Sequence, residues 1–264
     1  MDMNRRLFLK TLGFSVVAAS AGLSGFTLLR KGVEASQVAP DPKALTGKRW
    51  GMVVDMNKFK TDGDITKCIE ACHSIHNVPD IGSFTREIKW IWTEKFANAF
   101  PTHEHKYLNE AVEHMPFLVL CNHCDNPPCV RVCPTKATFR RADGLVMMDM
   151  HRCIGCRFCM AGCPYGARSF NWFDPRPYVK KQNPEYPTRM KGVVEKCTLC
   201  SERLAVGKIP ACVEVSNGAL VFGDLNDSAS EIRKILKDNY TTQRKLELGT
   251  RPSVFYVIGG GEHA

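Results

Sequence analysis

Thirteen cysteines dominate the chemistry open to this 264-residue chain. Four form the run Cys153-x2-Cys156-x2-Cys159-x3-Cys163-Pro164, and four more form Cys121-x2-Cys124-x4-Cys129-x3-Cys133-Pro134. A third group is Cys197-x2-Cys200-x11-Cys212. Three thiols a few residues apart, then a fourth and a proline, is the run that binds a [4Fe–4S] cube. A cube presents four iron corners, each needing one thiolate. A tight loop wraps three corners, and the fourth ligand must come from elsewhere.

In bacterial two-cluster ferredoxins the fourth cysteine of each run ligates the other run's cluster. The spacing here therefore predicts two crossed sites. Site A is Cys121, Cys124, Cys129 and Cys163, and site B is Cys153, Cys156, Cys159 and Cys133. Pro134 and Pro164 set the chain direction just past each crossed ligand. Gly155 keeps its loop slim where backbone amides approach sulfide.

Other uses of cysteine fit less well. Zinc takes two Cys-x2-Cys pairs, and it does not need a three-plus-one run ending in proline, used twice. Triplets two residues apart are poor disulfide geometry, although an exported chain would permit disulfides. A c-type haem needs Cys-x-x-Cys-His, and the chain offers only Cys68-x3-Cys72-His73.

The elements that must position these thiols are partly visible. Trp50 to Met56 reads as a short strand and residues 62–78 as a helical turn carrying Cys68 and Cys72. Phe117-Leu118-Val119-Leu120 is a strand feeding site A. Asp143-Gly144 is a hairpin turn between Thr138-Phe139 and Leu145-Val146-Met147. Tyr165 to Tyr186 reads as an irregular covering loop, Ser230 to Asp238 as an amphipathic helix, and Phe255 to Ile258 as a last strand. Residues 79–116 form an insertion with Trp90, Trp92, Phe96 and Phe100. Its histidines His103, His105 and His114, with His76 just before it, read as a solvated face.

The N-terminus carries Arg5-Arg6-Leu7-Phe8-Leu9-Lys10 before an apolar, small-residue stretch from Thr11 to Leu29. A twin arginine ahead of such a stretch is a Tat export signal, and that route carries proteins already folded around their cofactors. Residues 1–35 are assigned to the signal, cleaved after Val33-Glu34-Ala35 or kept as an anchor, and 36–48 to a linker with Pro40 and Pro42. The expected location is periplasmic, peripherally attached to the cytoplasmic membrane. The net charge of +9 is dispersed rather than striped, so nucleic acid is excluded as a partner; the basic excess offsets the negative charge of thiolate-bound clusters. No Gly-x-Gly-x-x-Gly fingerprint accompanies a nucleotide fold, and no residue need act as an acid–base catalyst.

Several further segments resemble one family. Glu195-Lys196-Cys197-Thr198-Leu199-Cys200 with Arg203, Gly207 to Glu214, Phe222-Gly223-Asp224-Leu225 and Leu248-Gly249-Thr250-Arg251-Pro252 are similar to the periplasmic four-cluster ferredoxin-type electron-transfer subunits. The resemblance covers roughly residues 50–258. It implies an α+β fold of tandem, pseudo-symmetric 2[4Fe–4S] ferredoxin-like modules with insertions, within a polyferredoxin domain at 49–264. The inner module is about 117–170, and the outer one is about 50–78 with 193–222.

The family's outer cysteine groups cross as the inner ones do, which implies a site C of Cys197, Cys200, Cys212 and Cys72. The chain departs from the family at the fourth site. The first cysteine of the first group is replaced in the region of Phe59, the second in the region of Asp62 to Thr66, and Ser216 stands where the last cysteine of the fourth group belongs. Cys68 and Ser216 are therefore expected to be non-ligands, with Phe59 filling part of the vacated space, and three [4Fe–4S] clusters are expected in all.

A three-cluster, Tat-exported member resembles the iron–sulfur subunit of the Dsr-type, heterodisulfide-reductase-like menaquinol-oxidising complex associated with sulfite reduction. His76-Asn77-Val78-Pro79 after Cys72-His73 adds to that likeness. It implies electron relay among a polytopic quinone-interacting membrane subunit, a periplasmic multihaem cytochrome c and other redox subunits. The alternative is the electron-transfer beta subunit of an exported molybdopterin oxidoreductase of the polysulfide, thiosulfate or dimethyl sulfoxide reductase type.

Overall fold

In a computed structural model, residues 41–259 are described. The signal segment 1–35 and linker residues 36–40 lie outside the described residues. Strand β1 (Trp50–Asp55) is central in a three-stranded sheet, antiparallel to β8 (Leu220–Asp224) and parallel to β9 (Val254–Val257). Met52, Val53 and Val54 of β1 are all fully buried. A strand covered on both faces reads as a continuous apolar run, because its two alternating sides both meet packing. Met52 and Val54 face the main core, while Val53 meets Ile232 and Val257 on the other side. That second face is closed by the amphipathic helix α8 (Glu231–Asp238), whose Ile232, Ile235 and Leu236 fall on one side at helical spacing.

Three two-stranded ribbons complete the strands. They pair β2 (Ile91–Glu94) with β3 (Phe117–Leu120), β4 (Thr138–Arg140) with β5 (Val146–Met148), and β6 (Ser169–Phe170) with β7 (Val194–Glu195), each antiparallel. The hairpin expected at Asp143-Gly144 is present, with Gly144 in the left-handed region at φ 85°. The fold is thus mixed α and β with short elements and long connections.

Two segments differ from expectation. The helical turn at 62–78 is a 14-residue helix, α1 (Asp62–Ile75). Thr61 and Asp64 hydrogen-bond at its start, and Asp62 and Asp64 place negative charge in its first turn. Its buried face is Ile65, Cys68 and Cys72. The segment 79–116 is no mere surface insertion. Trp90, Phe96, Phe100 and Phe117 are buried, and Phe100 packs edge-on to Phe117 and Tyr256. Short helices α2 (Phe96–Ala99) and α3 (Glu110–His114) lie in this segment. His103, His105 and His114 are exposed as expected, but His76 is buried and stacks on Trp90.

The loop 165–192 is held by a buried charged group. Glu195 is fully buried and its Oε2 lies 2.6 Å from Arg189 Nε. Trp90 Nε1 donates to the same carboxylate at 3.0 Å, and Asn171 Nδ2 donates to its other oxygen. Arg189 also donates to the carbonyls of His76 and Asn77. One carboxylate thus ties the covering loop, the aromatic segment and the end of α1 together.

Candidate metal centres

The first Cys-x2-Cys loop of each group turns the same way. The residue before the second cysteine is left-handed in all three: His123 at φ 40°, Gly155 at 69° and Leu199 at 51°. Such a turn aims successive amides and thiols into one concavity. Gly155 has a further reason to lack a side chain. A Cβ there would stand 2.5 Å from the Gly192 carbonyl and 3.1 Å from the Phe170 ring. The constraint comes from a neighbouring loop, a packing partner that the motif alone did not reveal.

After each loop, a short helix carries the next cysteine. These are α4 (Pro128–Arg131) with Cys129, α5 (Phe158–Ala161) with Cys159 and, after the intervening α6 (Ser201–Leu204), α7 (Ala211–Glu214) with Cys212. The residue four positions on is Cys133, Cys163 or Ser216, and α1 repeats that interval with Cys68 and Cys72.

The thiols gather across the runs. Cys121, Cys124, Cys129 and Cys163 line one cavity. Cys133, Cys153, Cys156 and Cys159 line a second. Cys72, Cys197, Cys200 and Cys212 form a third group, close enough that the charges of the last three all act on Cys72. Burial holds the Cys72 and Cys212 thiols well above their ordinary pKa, with neighbouring thiolates adding to the effect. Burial likewise pushes Cys124 and Cys197 up to about 12. Buried thiols that disfavour each other's ionisation need a cation to accept them as thiolates, which iron supplies.

Donors aimed at sulfur also suit a cluster. The amide of Thr138 points at Cys133 Sγ (3.5 Å), that of Leu199 at Cys197 Sγ (3.4 Å) and that of Ala211 at Cys200 Sγ (3.4 Å). Hydrogen bonds to cluster sulfur are one of the protein's levers on potential.

Two buried cations join the groups. Arg168 is 4% exposed. Its Nη2 donates to Cys129 Sγ at 3.1 Å and its Nη1 to Thr138 Oγ1 at 3.1 Å, the residue whose amide faces Cys133. Burial opposes its charge, yet the thiolates of Cys129, Cys159 and Cys121 hold it protonated beyond its ordinary range. Lys196 is fully buried, and its Nζ donates to the Cys197 carbonyl at 2.6 Å. The same carbonyl accepts His123 Nε2–H at 3.1 Å, while His123 Nδ1 accepts the Val146 amide. His123 sits between Cys121 and Cys124, so this junction joins the first and third groups. Burial, then the charge of Lys196, holds His123 neutral. The groups are therefore ordered in space as site B, site A, site C.

The fourth family position is different. Cys68 is fully buried in the main core, and burial raises its thiol to about 11. The Ser216 hydroxyl donates to the Val213 carbonyl at 2.8 Å and accepts the Leu220 amide at 3.0 Å, so it is engaged by backbone. Phe59 is half-buried and packs against the main core.

The comparisons with known proteins now bear on this geometry. The 4Fe-4S dicluster domain family matches residues 112–176, the stretch that holds sites A and B. The Hdr-like menaquinol oxidoreductase iron-sulfur subunit 1 of Archaeoglobus fulgidus is 43% identical over 283 aligned residues, covering 98% of this chain and 100% of that protein. The chain belongs to this family of iron–sulfur subunits. The menaquinone reductase iron-sulfur cluster-binding subunit of Nitratidesulfovibrio vulgaris is 34% identical, over 79% of this chain and 88% of its own. The arsenate respiratory reductase iron-sulfur subunit ArrB of a Shewanella species is 36% identical, over 81% and 97%. As a member of the family, this chain binds [4Fe–4S] clusters.

Sequence reasoning missed Arg168, Lys196, His123, His76 and Glu202. His76 Nε2 lies 2.7 Å from Glu202 Oε1, and ligand atoms of His76, Cys200 and Glu202 lie within 4.8 Å of one another beside site C. Lys196 adjoins Cys197 in the chain and could have been flagged. Arg168 reaches sulfur 39 positions away, and no local pattern announces that.

Proposed function

We propose that the protein relays single electrons through three [4Fe–4S] clusters as the iron–sulfur subunit of a quinone-linked respiratory complex. The ligands are Cys121, Cys124, Cys129 and Cys163 at site A, Cys133, Cys153, Cys156 and Cys159 at site B, and Cys72, Cys197, Cys200 and Cys212 at site C. The observation that carries this reading is the gathering of twelve thiols into three groups that abut in a row. Bound clusters supply reversible one-electron storage. The chain's own residues hold the thiols, donate hydrogen bonds to sulfur and keep water away. The two pairs of crossed runs make a tandem ferredoxin arrangement, with the fourth position closed by core packing around Cys68 and by the engaged Ser216.

The partners proposed are a polytopic quinone-interacting membrane subunit, a periplasmic multihaem cytochrome c and further redox subunits, in keeping with the names of the menaquinol and menaquinone relatives. The alternative is the electron-transfer beta subunit of an exported molybdopterin oxidoreductase, and the arsenate respiratory reductase relative is likewise the iron–sulfur subunit of a reductase. Co-purification separates the two: a haem- and quinone-binding complex supports the first reading, and a molybdopterin subunit the second. Location outside the cytoplasmic membrane rests on Arg5 and Arg6 before the apolar stretch. Protease added to intact spheroplasts should digest the protein; protection would place it in the cytoplasm.

Iron and acid-labile sulfide on anaerobically purified protein test the cluster count. About twelve irons per chain are expected, four per cube. Cys68→Ala should leave that number unchanged, whereas loss of about four would make Cys68 a ligand and reopen the fourth site.

A further inference from the structure

The three thiol groups differ in the fixed charge buried around them. Among the described residues, neither Arg168 nor Lys196 pairs with a carboxylate; the polar partners of Arg168 are Cys129, Thr138 and Met148, and that of Lys196 is the Cys197 carbonyl. A buried charge without a counter-ion is strongly destabilising, so the balancing negative charge must come from the thiol groups beside them. Arg168 stands at the junction of sites A and B, and Lys196 at the junction of sites A and C.

We propose that site A has the highest reduction potential of the three, because it alone adjoins both Arg168, which donates to Cys129, and Lys196, which shares the Cys197 carbonyl with His123 of the Cys121–Cys124 loop. The proposal rests on the three-cluster reading above. Adding an electron to a cluster adds one negative charge. A fixed cation in a low-dielectric surrounding stabilises the reduced form more than the oxidised one.

The other two sites have less positive surroundings. At site C, the charge of Glu202 acts on Cys72, Cys197 and Cys200 and opposes that of Lys196. His76 stands between Glu202 and Cys72, its Nε2 2.7 Å from Glu202 Oε1 and its Nδ1 2.8 Å from the Cys72 carbonyl. Arg203 is matched by Glu214 at 2.6 Å. At site B the second nearby cation is Arg157, which is exposed and stacked on Trp172, so solvent screens it. An electron entering from either end therefore settles in the middle of the row, and the end sites exchange electrons through a site that rests reduced.

The test is a potentiometric titration of the anaerobic holoprotein followed by electron paramagnetic resonance. Arg168→Gln should lower the midpoints of two clusters, and Lys196→Met should lower those of two. One cluster should move in both variants, and it should be the first to be reduced in the unsubstituted chain. Each shift should be at least tenfold in the reduction equilibrium, 59 mV for one electron. Arg168→Lys, which keeps the charge, should shift less than that. Unmoved midpoints, or a doubly shifted cluster that is not the first reduced, overturn the proposal.

If a variant loses iron, the unsubstituted protein still decides. The signal of the first-reduced cluster should broaden by spin coupling twice, as each of its two neighbours takes an electron. Broadening in one step only would place the first electron at an end of the row and overturn the proposal. An iron count other than about twelve would instead sink the three-cluster reading itself.

Discussion

Cys163→Ala should empty site A and leave site B, the site of its own run, intact. Cys163 lines the cavity of Cys121, Cys124 and Cys129, while Cys153, Cys156 and Cys159 line the other with Cys133. A cube held by three thiolates is missing the ligand at one corner, so iron should fall by about four per chain, or by about one if a three-iron remnant persists. Double variants separate the sites. Adding Cys124→Ala should remove no further cluster, because both losses fall on one site. Adding Cys156→Ala should remove a second cluster. The reverse pattern would break the crossed assignment. The magnitude follows from the ligand's place: Cys163 is partly buried against site A, and that burial raises its thiol before the charge of Cys121 adds to the effect.

Arg189→Met should produce the largest loss of stability of any single change outside the thiols. It strands Glu195, fully buried, without its ion-pair partner at 2.6 Å. Removing one partner of a buried pair costs on the order of 3–5 kcal/mol, because the remaining charge is left uncompensated. An exposed pair such as Arg176–Asp174 would cost well under that. The midpoint of thermal loss of visible absorbance in the anaerobic holoprotein reports the effect. Adding Glu195→Gln should restore part of it, since the amide carries no charge and can still accept from Trp90. An unchanged midpoint for Arg189→Met would mean the network does not hold the covering loop.

The two predictions draw on different kinds of information. The three loop cysteines of sites A and B are legible from spacing alone, because a chain can wrap three corners of a cube only with cysteines a few residues apart. Strand β1, the hairpin around Asp143-Gly144 and helix α8 were legible for similar reasons: a short apolar run, turn chemistry and helical spacing act over a few residues. The length of α1 was underread, since its polar face hid the Ile65, Cys68 and Cys72 side from a turn-by-turn reading. In the 79–116 segment the exposed histidines were legible, whereas the packing of Trp90, Phe96 and Phe100 into the core depends on partners far along the chain.

The sequence by itself therefore determined the cofactor chemistry and pointed to the loop ligands, and its resemblance to a four-cluster family implied a lost fourth site, where cysteines are replaced at both ends of one crossed set. The tertiary structure alone decided the row of the three thiol groups, the placing of Arg168 and Lys196 between them, and the Arg189–Glu195 anchor. Metal ligation by a loop is a local constraint on backbone length, and so it is written in spacing. The balance of buried charge is set by groups brought together from 39 to more than 100 positions apart, and only packing brings them within reach.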